Sequence, residues 1–172
     1  MSPNLVMVVL RLIHIISGAF WVGAVLSIGF FILPAQRAIG APGMLFVRQL
    51  MMGQKFRANV IGAAVLTILS GLTMYIRYAM AGGGWAESNT GKILGLGAVT
   101  AIIAAGIGTG YTGKIGKKML ALGGEIQASG GPPTDTQKAE MEALQGKMQN
   151  AFRIVASLLL ITVAAMASAR YL

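Results

Sequence analysis

Four stretches of this chain are strongly apolar and carry no full charge: Leu12 to Leu33, Ala58 to Ile76, Ile93 to Gly113 and Ile154 to Ala169. A bilayer core of about 30 Å is crossed by ~20 apolar residues in helical form. The first stretch can begin near Leu5. The fourth is lengthened by Ala151 and Phe152, and Arg153 and Arg170 at its ends can reach back to the headgroups. The runs do not alternate as barrel strands do. The expected fold is an all-α integral membrane protein, a bundle of four transmembrane helices over approximately 5–33, 58–80, 91–113 and 151–170, forming a single domain across 1–172.

Composition agrees. The chain has 172 residues, 55% hydrophobic and 11% charged, with mean hydropathy +0.71. Soluble domains carry about 25% charged residues, so lipid is the natural solvent here. With no cysteine, the chain can form no disulfide, zinc-thiolate or Fe–S site. The net charge of +9 would suggest nucleic acid in a soluble protein. Here the charges sit between apolar spans, so topology explains them and no nucleic-acid partner is expected. Residues 1–4 lack Lys and Arg, and the apolar run after them is longer than a signal h-region, so no cleavable signal is expected.

Basic residues set the orientation. Arg37, Arg48, Lys55 and Arg57 lie between spans one and two; Lys114, Lys117, Lys118, Lys138, Lys147 and Arg153 lie between spans three and four. Only Arg11, Arg77, Lys92 and Arg170 occupy the other side. The richer side is expected to be cytoplasmic, which puts both termini outside a bacterial inner membrane. Trp85 in the short outer loop reads as an interfacial anchor.

Pro34 is expected to end span one, and Met44 to Met52 to form a short interfacial helix. Residues 114–150 predict a helical hairpin standing into the cytoplasm. Gly123 and Gly124 would end the extension of span three, residues 130–133 would turn, and Asp135 would cap the next helix. Ile115, Met119 and Leu122 offer one apolar face; Met141, Leu144 and Met148 offer its match. No sequence repeat is evident. Gly91-x-x-x-Gly95 and Gly106-x-x-x-Gly110 on span three favour close helix packing, or room for a flat cofactor.

His14, the sole histidine, lies within span one, and ionisable groups at membrane depth are functional candidates by default. Arg11, His14, Gly18 and Trp21 share one helical face. At ~1.5 Å per residue, His14 lies ~8 Å outside the centre of span one, and Met74 and Met166 at a similar depth in spans two and four. Gly95 and Gly97 fall at that level in span three, with Arg11, Arg77 and Arg170 just outside. This set suits haem b: imidazole and thioether as axial ligands, glycines admitting the macrocycle, arginines pairing with propionates. Copper(I) on imidazole and thioethers is the alternative. A third reading has His14 bonding a carbonyl or serine of a neighbouring helix, with the methionines as packing and the arginines as topology determinants.

No acid lies within a span, so proton-coupled transport is weakly supported, and no nucleotide-binding motif follows Gly82 to Gly84. The chain offers no catalytic constellation of its own. Besides the bilayer, other membrane subunits, including those of a respiratory or photosynthetic complex, or a second copy in a homodimer are the expected partners.

The segment from Arg11 through His14 and Trp21 to Gly23 resembles the copper-resistance-D-like (CopD-like) bacterial membrane proteins, which carry a histidine, tryptophan seven residues on, then x-Gly. The run from Thr67 to Leu72 is similar to their small-residue-Gly-Leu signature, and the ending from Met166 to Leu172 looks like that of their small members. The resemblance implies copper handling; the related protoporphyrinogen-oxidase-like (HemJ-like) group implies haem b and electron transfer, with His14, Trp21 and Gly23 carried over. Haem-binding relatives generally offer more than one histidine. On that comparison a methionine or a second subunit completes the site here, or the site is lost and the fold remains.

Overall fold

The computed structural model describes residues 3–53 and 55–171. The chain is helical almost throughout, with no strand among the described residues: α1 (Pro3–Ser27), α2 (Leu33–Ile39), α3 (Ala41–Arg48), α4 (Phe56–Met80), α5 (Asn89–Gly106), α6 (Thr112–Ala128) and α7 (Asp135–Ser168). Single π turns, Ile28–Ile32 and Ile107–Tyr111, join α1 to α2 and α5 to α6 without breaking the rods. Four continuous helices are long and apolar enough to cross a membrane: Asn4–Ile39, Phe56–Met80, Asn89–Ala128 and Asp135–Tyr171. At ~1.5 Å per residue, the 25-residue second span is ~37 Å long, while the other three, at 36 to 40 residues, extend well beyond a bilayer core.

Pro34 does not end span one, contrary to expectation. Proline ends an α-helix because its ring meets the carbonyl four residues back. Here the widened turn just before it, in which the Leu33 N–H reaches the Ile28 carbonyl, accommodates the ring, and the helix runs on to Ile39. The chain then reverses at Gly40, whose φ of 77° suits glycine, into the short helix α3.

The expected hairpin forms, with two corrections at its tip. Gly123 and Gly124 do not stop α6, which continues to Ala128; helix-interior glycine costs only about 1 kcal/mol, which tertiary packing offsets. The cap of α7 is Thr134 rather than Asp135. The Thr134 side chain accepts from the Gln137 N–H, and the Gln137 side chain reaches back to the Thr134 N–H, a complete capping box. Asp135 follows in the first turn, where its charge favours the helix dipole. Ile115, Leu122 and Leu144 are buried between α6 and α7, with Met119, Met141 and Met148 packed around them.

The spans pack in two pairs. α1 lies chiefly along α4 and α5 chiefly along α7, with lesser contacts from α1 to α7 and α4 to α5. Lipid tails are as apolar as leucine, so close packing rather than hydrophobic exclusion holds the pairs together. The core is accordingly made of small residues, Ala63, Ala64, Ala101, Ala104 and Ala156, around Trp21, Val25, Val155 and Leu159. Large side chains face outward, among them Ile15, Ile16, Phe31 and Leu69.

Candidate functional site

His14 lies half-buried on the α1–α4 seam. Its Nδ1 stands 2.8 Å from the Thr67 carbonyl oxygen. A carbonyl only accepts, so Nδ1 carries a proton, and in the neutral ring the lone pair falls to Nε2. Ser70 Oγ is 3.4 Å from Nδ1 and donates its own proton to the Leu66 carbonyl at 2.6 Å. Nε2 has no hydrogen-bond partner among the described residues. Nor is any fully buried side-chain nitrogen or oxygen among them left unpaired, so Nε2 is not fully enclosed.

The ring fits because residue 71 is glycine. A Cβ there would stand 2.7 Å from His14 Cε1 and 2.9 Å from Nδ1, closer than packed atoms tolerate. One turn inward, Ser17 Oγ and Thr67 Oγ1 are 2.8 Å apart, each also within reach of a backbone carbonyl of its own helix, Ile13 and Ala63. Thr67, Ser70 and Gly71 share a helical face, so their spacing marks α4 as the seat of the imidazole. The residue pattern alone did not single out Ser17 or Ser70. Hydroxyls in an apolar span are common, and only the pairing of two particular helices gives them a partner.

The other candidates disperse. Arg11 Nη2 donates to Tyr78 Oη at 3.0 Å. Tyr78 stacks on Trp85 with ring centres 5.3 Å apart, and Tyr75 meets the same indole edge-on, so the expected interfacial tryptophan is held between two tyrosines. Arg77 is exposed and has no hydrogen bond or ion pair among the described residues. Arg170 lies over the ring of its neighbour Tyr171 at 4.6 Å. Trp21 is 4% exposed and packs in the bundle core with Ala63 and Ala64. Met74 is half-buried on α4, one turn beyond Gly71.

The chain's own side chains occupy the gaps at Gly18, Gly95 and Gly97, while a Cβ on Gly106 or Gly110 would meet nothing within 4 Å. Thr67 lies on Gly18, 3.4 Å from where a Cβ would be; Tyr75 Oη lies at 3.3 Å on Gly95; Met166 Cγ lies at 3.3 Å on Gly97. Met166 thus packs on α5, in the other helix pair. At the depth of His14, a slot between the spans for a flat macrocycle does not fit this packing, and neither does Met166 as a thioether partner of His14. What the packing shows is an anchored imidazole whose second nitrogen has no hydrogen-bond partner among the described residues, an arrangement that metal-ligating histidines also take. No cluster of three or more His, Cys, Asp or Glu side chains able to hold a metal occurs among the described residues. No protein-family model, curated protein or solved structure matches the chain.

Proposed function

We propose that this is a membrane-embedded electron-transfer subunit in which His14, through Nε2, would help hold a haem b, any further ligand coming from outside this chain. The observation that carries the reading is the anchored imidazole: Nδ1–H given to the Thr67 carbonyl, Nε2 left free. Haem bound there supplies one-electron chemistry. The chain's part is to fix the tautomer and ring orientation through Thr67 and to hold the ring against Gly71. The filled gaps at Gly18, Gly95 and Gly97 favour a ligand at the outer surface of the α1–α4 pair, shared with another membrane subunit or a second copy. The charge distribution supports both termini lying outside and the hairpin in the cytoplasm of a bacterial cell, and the motif around His14 supports kinship with the copper-resistance-D-like group.

Protein purified with ample haem supply is expected to show a Soret band that disappears in His14→Ala and survives Met166→Leu. A colourless preparation rejects the haem reading. It leaves the second reading, favoured by the filled gaps: an accessory subunit without a cofactor, in which His14 joins two helices. Copper handling is a third proposal, resting on His14 with Met74. It fails if replacing both leaves the copper content unchanged.

A further inference from the structure

The charges of the hairpin are sorted along its length. Near its root stand Lys114, Lys117, Lys118, Lys147 and Arg153; toward its tip stand Glu125, Asp135, Glu140 and Glu142, with Lys138 alone among them. The one ion pair among the described residues is at the tip, Lys138 to Asp135 at 3.2 Å. The root cations therefore have no carboxylate partner there.

One of them is joined by a cation from another span. Arg57, at the start of α4, lays its guanidinium along α6, with Nη2 only 3.0 Å from where a Cβ on Gly113 would be. Lys117 follows Gly113 by one turn on the same face of α6, and Lys114, Lys117 and Lys118 are all exposed, neighbours at spacings of four residues or fewer. Four exposed cations thus fall within about two turns of α6, where the second span begins and the third leaves its apolar stretch, with Arg57 seated beside Gly113. Like charges at this spacing repel, so an anion lying among them stabilises the arrangement.

We infer that Arg57, Lys114, Lys117 and Lys118 form a binding surface for the phosphate of an anionic phospholipid. Their depth selects the lipid. Arg57 is the second residue of a span about as long as a bilayer is thick, which sets its guanidinium at headgroup level. The planar guanidinium grips a phosphate through two nitrogens while the lysines add point charges. The acidic tip, carried ~10 Å further along α6 from Lys118 to Glu125, stays clear of the anionic surface.

The test uses the full chain reconstituted in phosphatidylcholine vesicles with or without phosphatidylglycerol, released into detergent, and examined by native mass spectrometry for retained lipid. Wild type is expected to retain phosphatidylglycerol over phosphatidylcholine. Arg57→Gln, Lys114→Gln and Lys117→Gln are each expected to reduce that retention about five-fold, while Lys138→Gln at the tip leaves it unchanged. Each variant should keep its thermal midpoint in phosphatidylcholine alone; Arg57→Lys, which keeps the charge but loses the two-nitrogen grip, is expected to retain an amount of lipid between those of wild type and Arg57→Gln. Undiminished retention in the root variants overturns the proposal, as does an equal loss in Lys138→Gln. Displacement of the lipid by low concentrations of inorganic phosphate overturns the lipid assignment.

Discussion

The α1–α4 and α5–α7 pairs use one packing device twice. In each, a glycine of the odd-numbered span faces a threonine-bearing stretch of its partner: Gly18 against Thr67, and Gly97 against Thr162 and Met166. A hydroxyl pair bonds across each seam at 2.8 Å, Ser17 to Thr67 and Thr100 to Thr162. Each odd-numbered span then opens into a π turn beginning Ile-Gly, at the same spacing after its glycine, and both turns lie against α7. The pairs differ in what fills the seam toward the chain termini. In the first it is an imidazole seated on Gly71; in the second it is the flexible thioether of Met166 seated on Gly97. The same close approach of backbones therefore carries an ionisable group in one half and ordinary packing in the other.

The two glycines test that difference most strongly. Gly71→Ala is expected to cost about 1–3 kcal/mol, because the new methyl strikes a rigid ring that is hydrogen-bonded in place. Gly97→Ala meets a movable Met166 chain at 3.3 Å and is expected to cost less than about 1 kcal/mol. Reversible unfolding in mixed micelles compares them. Adding His14→Ala to Gly71→Ala should restore most of the loss; a double variant no more stable than Gly71→Ala alone would refute the imidazole as the obstacle.

A second difference is that only the second pair continues into a hairpin. Thr134→Ala removes its capping box and is expected to cost about 1 kcal/mol locally. Hydrogen exchange should rise across 120–145 and stay unchanged at the α1–α4 seam. A uniform rise throughout the chain would mean that the hairpin and the bundle unfold as one unit.

The smallest effect concerns the shared feature. Thr67→Val and Thr162→Val each remove one interhelical hydroxyl bond, and each is expected to cost about 0.6 kcal/mol. Near-equal losses by the same unfolding assay support equivalence of the two seams. A much larger loss at Thr67 would show that its hydroxyl, and not only its carbonyl, supports His14.

The sequence by itself determined the four spans, their approximate limits and the hairpin's two apolar faces. These follow from hydropathy and helical periodicity, which each segment carries alone. It also marked His14 as the group to examine, since an imidazole in an apolar span is conspicuous without reference to anything else. Its errors at Pro34, Gly123 and Gly124 came from treating proline and glycine as local stops, where a π turn and the packing of α6 on α7 carried the helix through. Which gap each side chain fills was decided only by the tertiary structure. Depth along a span can be counted from residue numbers, and that placed His14, Met74, Met166 and the glycines at one level. Whether they meet depends on which helices pair and how each is rotated. That is a relation between two segments, and neither segment's own sequence records it. The fold thus gave Gly71 to His14 and Gly97 to Met166, and left one imidazole nitrogen free.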